Sequence, residues 1–454
     1  MLLVDDLPSL PEGWSYHRLG DLVDPARGIT YGIVQPGHAV ATGTPIVRVN
    51  DIRRGKILRD HPLVVADDVA AAYDRTRLRG GELLLTLVGT VGESAVVPPD
   101  FAGWNTARAV AVIPVRADVG AYWVHLCLRT PPLQRVIQVL CTTTVQATLN
   151  LKEAEELPIP MPPGPIRKGI EQTLRHLDDA IDLNLEMNNT LRATAGALFN
   201  SWFVDFDPVV ANAAGHAPFG LRPSLVGLFP SRFEDSSLGP VPEGWRAGRL
   251  QEGLAALESG SRPRGGVGDV SEGVPSIGAE SVLGVGEFDY DKTKYVPRRF
   301  FEAMKRGVVR YGDVLLYKDG AQIGRKTYVD CGFPFEECCI NEHVFILRSN
   351  DRLTQRFLFF WLDQPWVTEE IVSSNSNTAQ PGLNQPAVGR LPILYPPRAV
   401  LEAFENQAAP LLNRLLHNCN ETRTLESLRD SLLLRLLAGD VRVLQPEKLV
   451  EQVM

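Results

Sequence analysis

One tetrapeptide occurs twice in this chain. Pro11-Glu12-Gly13-Trp14 returns as Pro242-Glu243-Gly244-Trp245, 231 positions on (242 − 11), each time with Arg-Leu four and five places after the Trp. The echo continues in order. "GELLLTLVGTVGES" from Gly81 answers "GDVLLYKDGAQIGRK" from Gly312, both an apolar strand running into a Gly-rich turn. Thr144-x-Gln146-x-x-Leu149-Asn150 matches Thr378-x-Gln380-x-x-Leu383-Asn384, now 234 apart (384 − 150). At that offset Leu157-Pro158-Ile159 pairs with Leu391-Pro392-Ile393, and Pro162-Pro163 with Pro396-Pro397. An ordered series at nearly constant offset is a duplicated frame, which restricts the fold more than any composition can.

Each half reads as short strands and turns ending at a Pro-rich stop, followed by a long helix that the prolines help to start. Steps of 4,3,4,3 from Ile170 give a seam through Leu177, Ile181, Asn184, Asn188 and Leu191 to Trp202. Adding 234 gives Phe404 through Leu411, Leu415, Asn418, Thr422 and Leu425 to Leu436. Both seams are apolar at the ends and polar in the middle. Run antiparallel, Asn188 falls opposite Asn418 and Asn184 opposite Thr422, a layer that penalises slipped registers.

The expectation is an α+β chain with two tandem mixed α/β domains, separated by two long antiparallel helices forming a coiled coil, in a pseudo-twofold internal repeat. The boundaries expected are 1–165 for the first domain and 166–204 for the first long helix. A surface connector without helical period follows over 205–240, then the second domain over 241–397. The second long helix takes 398–438 and a tail 439–454. The seam from Ile170 to Trp202 spans 32 rises (202 − 170), about 48 Å at ~1.5 Å each. Such rods act as a ruler, and one heptad inserted in each lengthens the spacing by about 10.5 Å.

At 454 residues, 44% hydrophobic and 22% charged, the composition is that of an ordinary folded protein. The start "MLLVDDLPSL" has acids where a signal peptide needs basic residues, and no stretch approaches the ~20 apolar residues of a membrane span. The six cysteines form no C-x-x-C pair, which fits reduced thiols in the cytoplasm. The net charge of −8 argues mildly against nucleic acid. Local clusters argue the other way: Arg48 to Arg59, Arg75 to Arg79, Lys292 to Arg299 and Lys305 to Arg310.

These features together resemble the specificity subunit of type I restriction–modification systems, commonly called HsdS. The carriers are the two PEGW openings, "LPIPMPP", "LFNSWFVDFDPV" (from Leu198), "FPSRFEDSSLGPVPEGW" and "SLRDSLLLRLLAGDVRV". The resemblance covers essentially the whole chain. It implies that each domain is a target-recognition domain, so that double-stranded DNA is read as a split, asymmetric sequence. It implies two methyltransferase subunits as partners and, through the complex, restriction subunits, with no membrane. The methyl donor, ATP and Mg²⁺ belong on those partners; this chain is expected to hold no cofactor and no metal. The second long helix, beginning "PPRAVLEAFENQ", lacks the Glu171-Gln172 pair of the first.

Base reading needs donors and acceptors that match base edges. The candidates in the first domain are Thr30, Tyr31, Arg48, Asn50, Arg53 and Arg54, with Thr143, Thr144 and Gln146. In the second they are Arg262, Arg264, Lys318, Gln322, Arg325, Lys326, Asn377 and Gln380. The shared Thr-x-Gln-x-x-Leu-Asn reads equally as frame, since a turn repeated in both halves is more naturally structural than sequence-reading.

Catalytic motifs fail on inspection. "GAQIGRKT" (from Gly320) departs from the P-loop pattern in glycine spacing, and no helix follows it. Cys331, Cys338, Cys339 and His343 lack zinc-ligand spacing. Two other readings stay open: a stand-alone or fused restriction or methyltransferase enzyme, and a coiled-coil scaffold without DNA contact.

Overall fold

The PEGW repeat is a turn that launches a strand. In the computed structural model, which describes residues 7–59, 61–141, 147–267, 270–374 and 382–441, Trp14 N–H donates to the Pro11 carbonyl at 3.1 Å. Trp245 does the same to Pro242 at 2.9 Å. Gly13 and Gly244 both have φ +80°, the left-handed conformation that a type II turn requires at its third residue. The strand that follows, Ser15–Arg18, pairs antiparallel with Pro158–Met161. Arg246–Arg249 pairs in the same register with Pro392–Tyr395. The opening and the Pro-rich stop of each half are thus neighbours in one two-stranded sheet.

The chain divides into two units, one of residues 1–179 with 426–454 and one of residues 180–425. Within the first, a four-stranded sheet runs in the order Thr30–Tyr31, Val110–Ile113, Leu83–Thr86, Ser94–Val96. Within the second, the order is Leu254–Ser259, Val344–Ser349, Asp313–Tyr317, Lys326–Val329. Each unit adds a three-stranded sheet. In the first, Thr44–Val47 lies antiparallel to Leu63–Val65 and parallel to Asn105–Thr106. In the second, Val274–Ile277 lies antiparallel to Lys294–Val296 and parallel to Cys339–Ile340. Order and sense agree strand for strand. The runs Leu83-Leu84-Leu85 and Val314-Leu315-Leu316 are fully buried, so they carry apolar side chains on both faces.

The long helices are Gly164–Phe203 and Arg398–Leu437, and each contributes to both units. In the first unit Ile170 and Leu174 share a core with Leu433 and Leu436, while Arg429 donates to Asp178 at 2.8 Å. In the second unit Asn418 donates to Asn188 Oδ1 at 2.9 Å. Asn188 donates to Cys419 Sγ, and Asn184 to Glu421, each at 3.3 Å. Partners descend on one helix as they ascend on the other, so the pair is antiparallel. Leu177, Ile181, Leu191, Leu411, Leu415 and Leu425 are all buried or half-buried. The partner of Asn184 is Glu421 rather than Thr422: a carboxylate acceptor gives a charge-assisted bond that a hydroxyl does not. Thr422 Oγ1 is buried and has no hydrogen-bond partner among the described residues.

The connector differs from its expected form. Helix Asp207–Ala213 opens with Pro208 in its first turn, Pro223–Val226 adds a short helix, and Phe233–Ser236 pairs with Gly239–Pro242. Val209 and Phe229 are buried in the second unit's core, with Phe229 edge-on to Trp202 at 5.1 Å. Elements this short show no period in sequence, yet their few large apolar residues suffice to pack them. Among the described residues no helix is long and apolar enough to cross a membrane.

Candidate nucleic-acid interface

In the first unit Thr30 and Tyr31 form an edge strand, with Tyr31 41% exposed. Arg48 is tied to Asp51 by two guanidinium bonds of 3.0 Å, and Asn50 is exposed beside it. Arg53 and Arg54 lie at the tip of a tight hairpin, Ile52–Arg53 against Lys56–Ile57. Arg54 and Gly55 both have positive φ, 51° and 83°, as a two-residue type I′ turn demands. A Cβ on Gly55 would meet the His125 imidazole and the Arg129 guanidinium, so this turn is seated against the unit's own helix Ala121–Leu128. Arg75, Arg77 and Arg79 are exposed and make no side-chain ion pair among the described residues. Thr143, Thr144 and Gln146 lie outside the described residues.

In the second unit Arg262 and Lys318 are brought together. Arg262 forms an ion pair with Glu342. Lys318 donates to the Glu342 carbonyl at 3.0 Å and pairs with Asp319 at 3.2 Å. His343 sits between Asp319 and Glu342. Arg264, Gln322 and Arg325 are exposed. Asn377 and Gln380 lie outside the described residues. The later basic cluster is largely matched by acids, with Lys292 on Asp289, Lys294 on Glu280 and Arg298 on Glu337.

Lys326, unlike Arg325 beside it, is not presented to solvent. It is 5% exposed, and its ammonium donates to the Leu362 carbonyl at 2.8 Å and to Thr368 at 2.6 Å. In the first unit the Gln134 amide donates to the Leu128 carbonyl at 2.7 Å, 234 positions before Leu362 (362 − 128). One helix-end carbonyl therefore needs a donor in both units, and a different side chain supplies it in each. Burial lowers the Lys326 pKa, partly offset by Asp363. "GAQIGRKT" is accordingly a turn running into strand Lys326–Val329.

The end of the repeated Thr-x-Gln-x-x-Leu-Asn is frame. Leu149 N–H donates to the Leu87 carbonyl at 2.9 Å, and Leu383 N–H to the Lys318 carbonyl at 3.0 Å. Both leucines are buried.

A second turn was missed in the sequence. Between Asn105–Thr106 and Val110–Ile113, residues 107–110 are closed by Val110 N–H on the Ala107 carbonyl at 2.9 Å. Between Cys339–Ile340 and Val344–Ser349, residues 341–344 are closed by Val344 N–H on the Asn341 carbonyl at 3.4 Å. The tips are Arg108-Ala109 and Glu342-His343. The only letter the two turns share is the valine, so letter matching hides them; the constant offset of 234 reveals them (342 − 108).

No protein-family model matches the chain. It is 29% identical over 187 residues to the type I restriction enzyme EcoBI specificity subunit of Escherichia coli, covering 40% of this chain and 39% of that one. It is 21% identical over 458 residues to the MjaIX specificity subunit of Methanocaldococcus jannaschii, covering 96% of each. The solved S subunit of a type I restriction–modification system from M. genitalium has the same fold, with TM-score 0.53 at 13% identity over 95% of this chain and 98% of that one. With these likenesses beside its duplicated frame and paired helices, the chain is an HsdS-like protein of the type I restriction–modification specificity-subunit kind.

Proposed function

We propose that this chain reads DNA sequence for a type I restriction–modification complex, one unit per half of a split target. The carrying observation is that two frames agree strand for strand while the side chains at their turn tips differ: Arg108-Ala109 against Glu342-His343 at one turn. Equal frames with unequal surfaces suit two different half-sites. The duplicated frame also offers two equivalent seats, which suits two copies of one methyltransferase partner; restriction subunits join through that assembly. Of the candidates, Tyr31, Asn50, Arg53, Arg54, Arg262, Arg264, Gln322 and Arg325 are exposed, which suits contact with DNA.

The test is DNA binding by the chain assembled with its methyltransferase subunit, measured from low to moderate salt. The expected result is a preference for one split sequence and a steep loss of affinity with salt as phosphate contacts release counterions. Sequence-blind binding, or none, overturns the reading. Turnover by the isolated chain with DNA, Mg²⁺ and methyl donor would instead reveal an enzyme.

A further inference from the structure

The turns 107–110 and 341–344 are held by their surroundings in the same way. The glycine that ends the edge strand of each four-stranded sheet, Gly32 or Gly260, lies so close that a Cβ would collide with the carbonyl of Thr106 or Ile340. Next along, Ala107 N–H donates to Val47 at 2.9 Å and Asn341 N–H to Ile277 at 3.0 Å. Backbone packed on backbone fixes where the tip stands, so only its side chains are free to differ.

They differ in sign. Arg108 is exposed, its N–H is bound to the Ile33 carbonyl at 2.8 Å, and its side chain makes no hydrogen bond or ion pair among the described residues. Ala107 and Ala109 flank it with nothing larger than methyl groups. In the second unit the tip residue is Glu342, and it holds Arg262, which enters from the segment just after Gly260. A guanidinium therefore stands at the same turn in both units, carried by the tip in one and tethered to it in the other. Arg262 remains half exposed, at 51% of its side chain.

We propose that this turn is the base-reading point of each unit, with Arg108 the specificity-determining residue of the first and Arg262, positioned by Glu342, its counterpart in the second. The ligand chemistry is the O6 and N7 acceptors of guanine, which the planar guanidinium fork matches with two parallel hydrogen bonds. This rests on the DNA-reading function proposed above and names where it resides.

The experiment selects bound duplexes from a randomised pool with the methyltransferase-assembled protein: wild type, Arg108→Ala, Arg108→Lys, Arg262→Ala and Glu342→Gln. If the wild type selects no sequence, the DNA-reading function fails, whatever the variants do. Given a wild-type preference, Arg108→Ala relaxes one base pair in one half-site by roughly 5- to 150-fold and leaves the other half-site intact. Arg108→Lys keeps the charge but not the fork, and relaxes the same base pair. Arg262→Ala relaxes a base pair in the opposite half-site, and Glu342→Gln weakens that same position less. A uniform loss across all duplexes with a smaller salt slope would assign Arg108 to phosphate and overturn the proposal, as would an unchanged preference. Because the Arg108 side chain has no bonding partner among the described residues, its variants keep the wild-type melting temperature, which separates reading from folding.

Discussion

Asn418 gives its amide to Asn188 across the two long helices at 2.9 Å, and its own buried Oδ1 has no partner among the described residues. The pair is therefore satisfied on one side only. Replacing Asn418 with Leu strands the Asn188 oxygen and costs about 1–3 kcal/mol. Replacing both with Leu removes the two amides together, losing besides only the weak Asn188 bond to Cys419 Sγ, and equal or greater stability than the wild type is expected. The register penalty of the polar layer is then lost. Denaturant unfolding of the three proteins checks this; a double variant weaker than either single one contradicts it.

Arg429 and Tyr122 both hold Asp178, at 2.8 and 2.6 Å. Burial opposes ionisation of Asp178, but these two bonds outweigh it and hold the carboxyl below its ordinary value. A depressed native pKa stabilises the fold above the unfolded value of ~3.9, and that stabilisation is lost as pH falls through the native value. Asp178→Asn leaves Arg429 without its partner on the facing helix and costs about 3 kcal/mol at pH 7. The gap from wild type stays constant between about pH 5 and 8 and closes in acid below ~3.9. Unfolding midpoints across that range decide it.

Lys326 separates a structural cation from a DNA contact. Lys326→Met leaves the Leu362 carbonyl without its donor and lowers stability by about 1–3 kcal/mol. The salt slope of DNA binding by the assembled complex stays unchanged, whereas loss of a phosphate contact lowers it by about one. Melting and a salt titration on one preparation give both readouts.

Lys326 also shows what was legible in the sequence and what was not. The duplicated frame could be read because its glycines, prolines and buried leucines are set by turn geometry and close packing, which few residue types satisfy. The polar midpoint of the seam could be read for the same reason. Side chains that do one task with different chemistry could not: Lys326 and Gln134 share no letter, yet cap equivalent carbonyls. Arg108 was invisible because a tip whose residues are free to vary leaves no repeat to find. The Arg53-Arg54-Gly55-Lys56 hairpin stood out by charge alone, and its seat against His125 and Arg129 needed coordinates.

Gly260 offers a test confined to one unit. Its φ is ordinary, but a Cβ there would strike the Ile340 carbonyl, which is backbone and cannot rotate away. Gly260→Ala therefore pushes the edge strand Leu254–Ser259 off its neighbour and displaces the turn 341–344 with Arg262. Overpacking of this kind costs about 1–3 kcal/mol, which a folded complex tolerates at low temperature. The expected outcome in duplex selection is loss of preference in the half-site that Arg262→Ala affects, with the half-site read through Arg108 unchanged. Gly32→Ala does the reverse, since its Cβ would strike the Thr106 carbonyl. Loss of both half-sites from either single substitution would show that the two units do not read independently.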